Sequence, residues 1–433
     1  MTPAARLAAA IEVFATIETE RRPAADALKS WGQTHRFAGS GDRAAIAGLV
    51  YDALRRRASS AWIMGAETPR AVLLGMLKRE RELDANAIAK LADGSRYAPT
   101  ALTDDERARL DAAGLDTAPP QVAGDYPAWL DAHFARVFGD GRAEEGAALA
   151  SRAPLDLRVN TLKAARDDVI AMLADLQPQP TRWSPWGLRI RLAADAKSPA
   201  IHAEPAFLKG MIEVQDEGSQ LAALFSAAKP GEQVVDLCAG TGGKTLALAA
   251  MMENKGQIFA TDDDKRRLAP IHERLKRSGA RNVQVRTPRS VGDAIADLVG
   301  RVDLVLIDAP CTGIGAWRRN PDAKWRMRPG ALEQRVKEQA EILDRAVPLL
   351  KTGARIAYVT CSVLDEENDA QVRAFLTRHA EFSIEPPPQV ATALGERAFM
   401  FTRAARLSAE GILMTPRTTD TDGFYVSLLR RAE

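Results

Sequence analysis

Cysteine is scarce in this chain. Only three occur in 433 residues, Cys238, Cys311 and Cys361, and none of them forms a Cys-x-x-Cys pair. So few, so late and so unpaired a set excludes a disulfide framework and a cysteine-based zinc site. Histidine is thin as well. His35, His133, His202, His272 and His379 are scattered without metal-ligand spacing, so no metal is expected. Long apolar runs are missing. No stretch approaches the ~18 residues of a membrane span. The apolar run at 7–11 stops at Glu12 and is too short for a secretion signal. The chain therefore reads as a cytoplasmic protein with no membrane partner. Neither sign of charge is in excess: 59 Lys+Arg against 57 Asp+Glu leave a formal net charge of +2. A surface that is basic throughout is thereby excluded, and any polyanion must be met locally.

What is present describes a folded protein of several domains. Hydrophobic residues make up 46% and charged residues 27%, enough for a substantial core. The length corresponds to roughly three domains. The first ~140 residues read as helical. A start signal at Ser40-Gly41-Asp42 precedes Ile46, Leu49, Val50, Ala53 and Leu54 on one face, and Arg55-Arg56-Arg57 closes the helix. A second helix covers Ala71 to Leu77, and Pro119-Pro120 marks a linker. Beyond Tyr126 a small mixed α/β module follows. It has strands at 155–159 and 186–192, the latter alternating as a half-buried strand does, and a helix at 165–176. From Gly231 onward strand and helix signals alternate, with strands at 233–237, 257–261, 282–286, 302–307 and 355–359. Such alternation implies a parallel sheet with helices on both faces. The expected domains are 1–124, 125–229 and 230–433.

One loop has the chemistry of a cofactor site. The strand ending Val234-Val235-Asp236-Leu237 runs into Cys238-Ala239-Gly240-Thr241-Gly242-Gly243-Lys244-Thr245 and then a helix. Glycines there let backbone approach a ligand, and the helix start favours a carboxylate. A P-loop needs glycine at position 238, which is cysteine, and the dinucleotide fingerprint lacks its third glycine. Asp262 lies 19 residues after Gly243, beyond the next strand, where a carboxylate can take ribose hydroxyls. A glycine loop plus a ribose acid, without polyphosphate chemistry, fits S-adenosylmethionine.

Cys311 and Cys361 each follow a buried strand, in Asp308-Ala309-Pro310-Cys311-Thr312-Gly313 and Thr360-Cys361-Ser362. Strand ends of an α/β sheet form the ligand rim. Two thiols on that rim suggest covalent chemistry on an electrophile. Methylating an exocyclic amine needs no nucleophile from the protein. Carbon 5 of cytosine does, because a thiolate added at carbon 6 makes carbon 5 nucleophilic, and loss of the carbon-5 proton later expels the thiol. Asp308 can hold the N3/N4 edge of such a base. Immediately after Cys311, residues 318–328 hold five cations, one anion and Trp325. Arg318, Arg319, Lys324 and Trp325 are thus candidates to meet RNA through phosphates and a stacked base.

These motifs resemble the NOL1/NOP2/Sun group of RNA cytosine-5 methyltransferases. The resemblance runs from Gly210 to the C-terminus. It rests on Gln215-Asp216-Glu217-Gly218-Ser219, on the Asp308 to Trp325 segment, on Thr360-Cys361-Ser362 with Glu367-Asn368, and on Asp422-Gly423-Phe424. It implies a Rossmann-like methyltransferase domain, with Cys361 as nucleophile and Cys311 assisting release of the product. It also implies that Cys238, Ala239, Gly240, Thr241, Gly242, Gly243, Lys244, Asp262 and Asp308 surround S-adenosylmethionine. The region around Asp42-Arg43 and Arg55-Arg56-Arg57 resembles a NusB-type helical RNA-binding domain. The expected partner is RNA, specifically 16S rRNA, with a flipped or unpaired base, and the chain is expected to act as a monomer. Two departures stand out. Gly240 and Thr241 replace the Ala-Pro of the family loop, which predicts a less rigid turn. Val285-Arg286-Thr287-Pro288-Arg289 carries no acid after the third strand, and Asp293 follows only later. Two rival readings remain. A DNA cytosine-5 methyltransferase would use Cys311 and leave Cys361 without a role. A non-catalytic RNA-binding assembly factor would fail to bind S-adenosylmethionine.

Overall fold

The computed structural model describes residues 1–112, 114–192, 199–288 and 293–433. Arg289 lies outside the described residues. The chain forms two compact units. The first comprises Met1–Arg152 together with Trp317–Arg328, and the second holds Ala153–Ala193, Ser198–Ala316 and Pro329–Glu433. Among the described residues no helix is long and apolar enough to cross a membrane.

The first unit is helical. Thr2 caps the helix Pro3–Glu20 by accepting from the Ala5 amide at 3.1 Å, and Leu7, Ala10, Val13, Phe14 and Ile17 form its buried face. The helix expected from Ser40 spans Ser40–Arg55 and buries Ile46, Val50, Ala53 and Leu54. The helix Pro69–Arg79 is buried over the whole of Ala71 to Leu77, not on one face. Gly75 explains how it fits: a Cβ there would lie 2.3 Å from the Ser60 carbonyl on the helix Arg57–Met64. Pro119-Pro120 is not a linker. Pro120 opens a short helix, Pro120–Ala123. The buried Asp125 carboxylate then takes the Ser59 amide at 2.9 Å and its hydroxyl at 2.8 Å. Residues 125–152 pack with the helical unit.

Residues 317–328, expected to meet RNA through their cations and Trp325, also belong to this unit. Its helix Pro321–Arg326 caps the end of Ser40–Arg55. Lys324 Nζ donates to the Arg55 carbonyl at 3.1 Å and Trp325 Nε1 to the Leu54 carbonyl at 2.6 Å. Last-turn carbonyls have no partner within their own helix, and these side chains supply it. Lys324 is 1% exposed and Arg318 2%, while Arg319 and Trp325 are half-buried. Burial pulls the Lys324 ammonium down to about 7, against the pull of Asp125. A cation so placed cannot serve as a phosphate contact in this conformation.

The second unit contains two sheets. The smaller has strands β1 (Leu155–Val159), β2 (Gln179–Pro180), β3 (Gly187–Ile190) and β4 (Ile212–Val214), in the order β2-β3-β1-β4, all antiparallel. Leu157, Val159, Leu188, Ile190 and Ile212 form its core with Val169 and Phe207. β3 is buried on both faces instead of half-exposed. Its polar residue Arg189 is absorbed by a bidentate pair with Asp156, at 2.6 and 2.8 Å.

The larger sheet has β5 (Gln233–Asp236), β6 (Gln257–Thr261), β7 (Val283–Arg286), β8 (Val302–Asp308), β9 (Leu350–Thr360), β10 (Phe382–Ile384), β11 (Arg406–Leu407), β12 (Ile412–Met414) and β13 (Phe424–Arg431). Its order is β11-β12-β13-β9-β8-β5-β6-β7, with β10 also paired to β13. β5 to β9 pair in parallel, and β10 to β13 add antiparallel strands at one side. All five strands read from the sequence are present. Leu304, Val305, Leu306 and Ile307 in β8 are fully buried, as a central parallel strand requires. The strand order reverses between β5 and β8, so the carboxyl ends of these two strands open the crevice where α/β sheets take ligands.

Candidate active site

β5 ends at Asp236, and the chain turns through residues 237–242 into the helix Gly243–Met251. The turn stays tied to its neighbours. Leu237 N donates to the Leu306 carbonyl and Ala239 N to the Thr261 carbonyl, both at 2.9 Å. Gly240 and Gly242 have φ of +51° and +87°, in the region that glycine occupies without strain. Gly242 also has no room for a side chain, because a Cβ would lie 2.5 Å from Ile271 Cγ1. The expected looseness of the Gly240-Thr241 pair is offset by Arg274. Its Nη1 donates to Thr241 Oγ1 at 2.8 Å and to the Thr241 carbonyl at 3.0 Å.

Asp262, just beyond β6, faces this loop. It is buried, and its two oxygens accept from the amides of Gly240 and Asp264, each at 2.9 Å. Each carboxylate oxygen keeps a second lone pair for a hydroxyl. Under the loop lies Asp236, a group the sequence reading passed over. Its Oδ2 accepts from Thr245 Oγ1 at 2.6 Å. Burial, with Asp308 and Asp262 nearby, pushes its carboxyl up to about 7. The available signal was an acid closing a buried strand, a position that costs solvation unless it serves the loop above.

Cys238, Asp262, Asp308 and Pro310 line one cleft of about 560 Å³ with Glu338 and Ile342 from the helix Pro329–Ala346. The size suits a small-molecule cofactor. Arg345 of the same helix reaches Asp263 at 2.9 Å and Asp293 at 3.1 Å. Asp293 therefore sits in an ion pair, and the end of β7 carries Arg286, paired with Asp297 at 3.0 Å. The wall formed by Pro329–Ala346 was not foreseen, since its sequence reads as an ordinary amphipathic helix. Lys244 Nζ lies 2.7 Å from Asp308 Oδ2, so the cofactor loop and the Cys311 loop meet through an ion pair. Lys244 also packs 5.1 Å from the centre of the Phe424 ring.

The two thiols meet beside this pair. β8 and β9 are adjacent, with Asp308 opposite Val359, so the loops that leave them start side by side. Cys311 and Cys361 are free cysteines whose sulfurs lie 3.2 Å apart. That is hydrogen-bonding contact and far longer than a disulfide bond. The hydrogen bond to Cys361 and burial hold the Cys311 thiol well above its ordinary range. Gly315 N donates to the Cys361 carbonyl and Gly423 N to the Gly315 carbonyl, both at 2.9 Å. The approach is close enough that a Cβ on Gly315 would lie 2.0 Å from the Gly423 oxygen.

Comparison with known proteins agrees with this arrangement. The model of the family described as "16S rRNA methyltransferase RsmB/F" matches residues 223–430. The RsmF/B-like ferredoxin-like domain matches residues 126–197. The probable ribosomal RNA small subunit methyltransferase B of Synechocystis sp. is 32% identical over 314 residues, 71% of this chain and 67% of that protein.

The chain belongs to the RsmB/F family of rRNA methyltransferases.

The ribosomal RNA small subunit methyltransferase B of Escherichia coli (strain K12) is 34% identical over 258 residues, 59% of this chain and 58% of that protein. Among solved structures, that of PH0851 shares 27% identity with a TM-score of 0.70 and covers 100% of this chain and 99% of its own. A methyltransferase homologue from Pyrococcus horikoshii, also 27% identical, has a TM-score of 0.58 over 72% of this chain and 97% of its own. The fold of this RsmB/F-family chain is thus that of a Rossmann-like, S-adenosylmethionine-dependent methyltransferase. The cofactor fits the residues present. The glycine turn, the free lone pairs of Asp262 and the 560 Å³ cleft lie on one strand-end rim.

Proposed function

We propose that this chain methylates carbon 5 of a cytosine in 16S rRNA through a covalent adduct to Cys361. The observation that carries the reading is the sulfur pair: two thiols 3.2 Å apart at the ends of adjacent strands. The resemblance of Thr360-Cys361-Ser362 to the family motif gives the attack to Cys361. Its sulfur bonds to carbon 6, the carbon 5–carbon 6 π electrons move through carbon 4 toward N3, and N3 takes a proton from solvent at the base edge. Asp308, balanced by Lys244 at 2.7 Å, stands at that edge without leaving an unpaired charge in the site. S-adenosylmethionine supplies the electrophilic methyl when bound in the cleft. Loss of the carbon-5 proton to a solvent base then restores the double bond and returns the pair of electrons to the Cys361 sulfur, while N3 gives its proton back to solvent. Cys311, protonated and in contact with that sulfur, stabilises the departing thiolate through its S–H.

The DNA reading with Cys311 as nucleophile fits poorly, because it leaves Cys361, 3.2 Å away, without a role, and the relatives are rRNA methyltransferases. The test is nucleoside analysis by mass spectrometry after incubating the full chain, 16S rRNA and methyl-labelled S-adenosylmethionine. The label is expected in 5-methylcytidine. Label in another nucleoside, or none in RNA, contradicts the proposal.

A further inference from the structure

Glu367 is 0% exposed. A carboxylate buried this deeply must be matched by donors or give up its charge. Thr312, next to Cys311, gives its amide to Oε1 at 2.8 Å and its hydroxyl to Oε2. The Ser362 hydroxyl, next to Cys361, meets the same Thr312 hydroxyl at 3.4 Å. Gln339 Nε2 donates to Oε1 at 3.0 Å and also to the Pro310 carbonyl at 3.0 Å. The backbone of Glu367 is fixed in turn, because Tyr358 donates its hydroxyl to the Glu367 carbonyl at 2.7 Å. Asn368 completes the frame. It accepts from Thr360 Oγ1 at 2.6 Å and donates to the Ser362 carbonyl at 3.0 Å. Thr312, after Cys311, thus hangs from the carboxylate directly, and Ser362, after Cys361, is tied to it through Thr312 and Asn368; three donors satisfy its two oxygens.

We propose that Glu367 is a positioning residue that holds the Cys311 and Cys361 loops in register through Thr312 and Ser362, and so sets the 3.2 Å approach of their sulfurs. Its catalytic consequence rests on the covalent mechanism above, but the geometric claim does not. The carboxylate also places negative charge near Cys311, which helps to keep the proton on that sulfur.

Glu367→Gln keeps the shape, removes the charge and turns an amide NH2 donor toward groups that are themselves donors. Thr312→Val removes the hydroxyl contact alone at constant volume and serves as the milder variant. Three quantities are followed on the full chain. They are diamide-driven Cys311–Cys361 disulfide formation by peptide mass, the pH dependence of iodoacetamide alkylation on the Cys311 peptide, and kcat with KM for rRNA. In Glu367→Gln the disulfide is expected to form about tenfold more slowly, since small misplacements of reacting atoms are costly. The Cys311 alkylation midpoint is expected to move to lower pH. The kcat is expected to fall about tenfold at nearly constant KM. Thr312→Val should slow the disulfide in the same direction, and the double variant should add little to Glu367→Gln. Wild-type disulfide rates in both variants, with an unmoved Cys311 midpoint in Glu367→Gln, overturn the proposal. If the thiol readouts shift while Cys361→Ala still transfers methyl, the positioning role stands and the covalent mechanism falls.

Discussion

Replacing Gly242 by alanine puts a methyl group where the cofactor loop has no space for one. The new Cβ would lie 2.5 Å from Ile271 Cγ1 and 2.9 Å from its Cδ1, on a residue whose φ is +87°. Gly240→Ala is the control. Its φ is +51°, but the nearest atom to its Cβ is Arg267 Nη2, 3.5 Å away at the end of a flexible side chain. Both variants carry the left-handed backbone penalty of about 1–2 kcal/mol. Only Gly242→Ala adds a packing clash, worth about 1–3 kcal/mol. The difference between the two variants is therefore the clash itself. At roughly 2–4 °C per kcal/mol for a unit of this size, Gly242→Ala should melt several degrees below Gly240→Ala. Thermal unfolding by circular dichroism reads this directly. A second scan with S-adenosylmethionine reads the site, because a ligand that binds only the folded chain raises its melting temperature. That increment should be largely retained in Gly240→Ala and largely lost in Gly242→Ala, where the start of Gly243–Met251 must shift away from Ile271. Equal melting temperatures for the two variants, or an intact increment in Gly242→Ala, would refute the reasoning.

Asp262→Asn should raise the Kd for S-adenosylmethionine by about tenfold or more, the cost of weakening charged hydrogen bonds, and calorimetry measures it. Asp236→Asn should show a pH signature. The folded chain holds a proton at Asp236 between pH 3.8 and about 7 that the unfolded chain has released, so this site's contribution to stability falls as pH rises through that window. The melting temperature of Asp236→Asn relative to wild type should therefore rise from about pH 5 to about pH 8, and a flat difference would remove the inference. Lys324→Met should lower stability by loss of the Arg55 cap while leaving the salt dependence of rRNA binding unchanged. A slope reduced by about one would restore Lys324 as a phosphate contact.

The parts of the fold that could be read from sequence are those where burial imposes a pattern. β5, β6 and β8 lie inside a parallel sheet and bury most of their length, so each carries an apolar run between loop residues, while β7 at the edge alternates as Val-Gln-Val-Arg. Because β8 and β9 are neighbours, reading Cys311 and Cys361 at their ends already placed two thiols on one rim. The turn glycines were legible because positive φ selects for glycine. The misreadings share a cause, which is polar residues whose partners are distant in sequence. Lys324 and Trp325 look like a basic, aromatic loop, and nothing local shows that they cap carbonyls at Arg55 and Leu54. Arg189 looks solvent-facing until Asp156 is placed beside it. Pro119-Pro120 has the composition of a linker, yet proline is also favoured in the first turn of a helix, and Pro120 occupies that place. The helical wall with Glu338 and Arg345 was hidden because an amphipathic pattern tells which face is buried, not which cleft the other face borders.

The proposed mechanism divides the labour between two sulfurs 3.2 Å apart. The most direct test incubates Cys311→Ala and Cys361→Ala separately with rRNA and S-adenosylmethionine, then identifies the peptide that carries covalent RNA by mass spectrometry. Cys311→Ala should accumulate an adduct on the Cys361 peptide, while Cys361→Ala should form none and transfer no methyl. Full methyl transfer by Cys361→Ala, or an adduct on the Cys311 peptide, would contradict it.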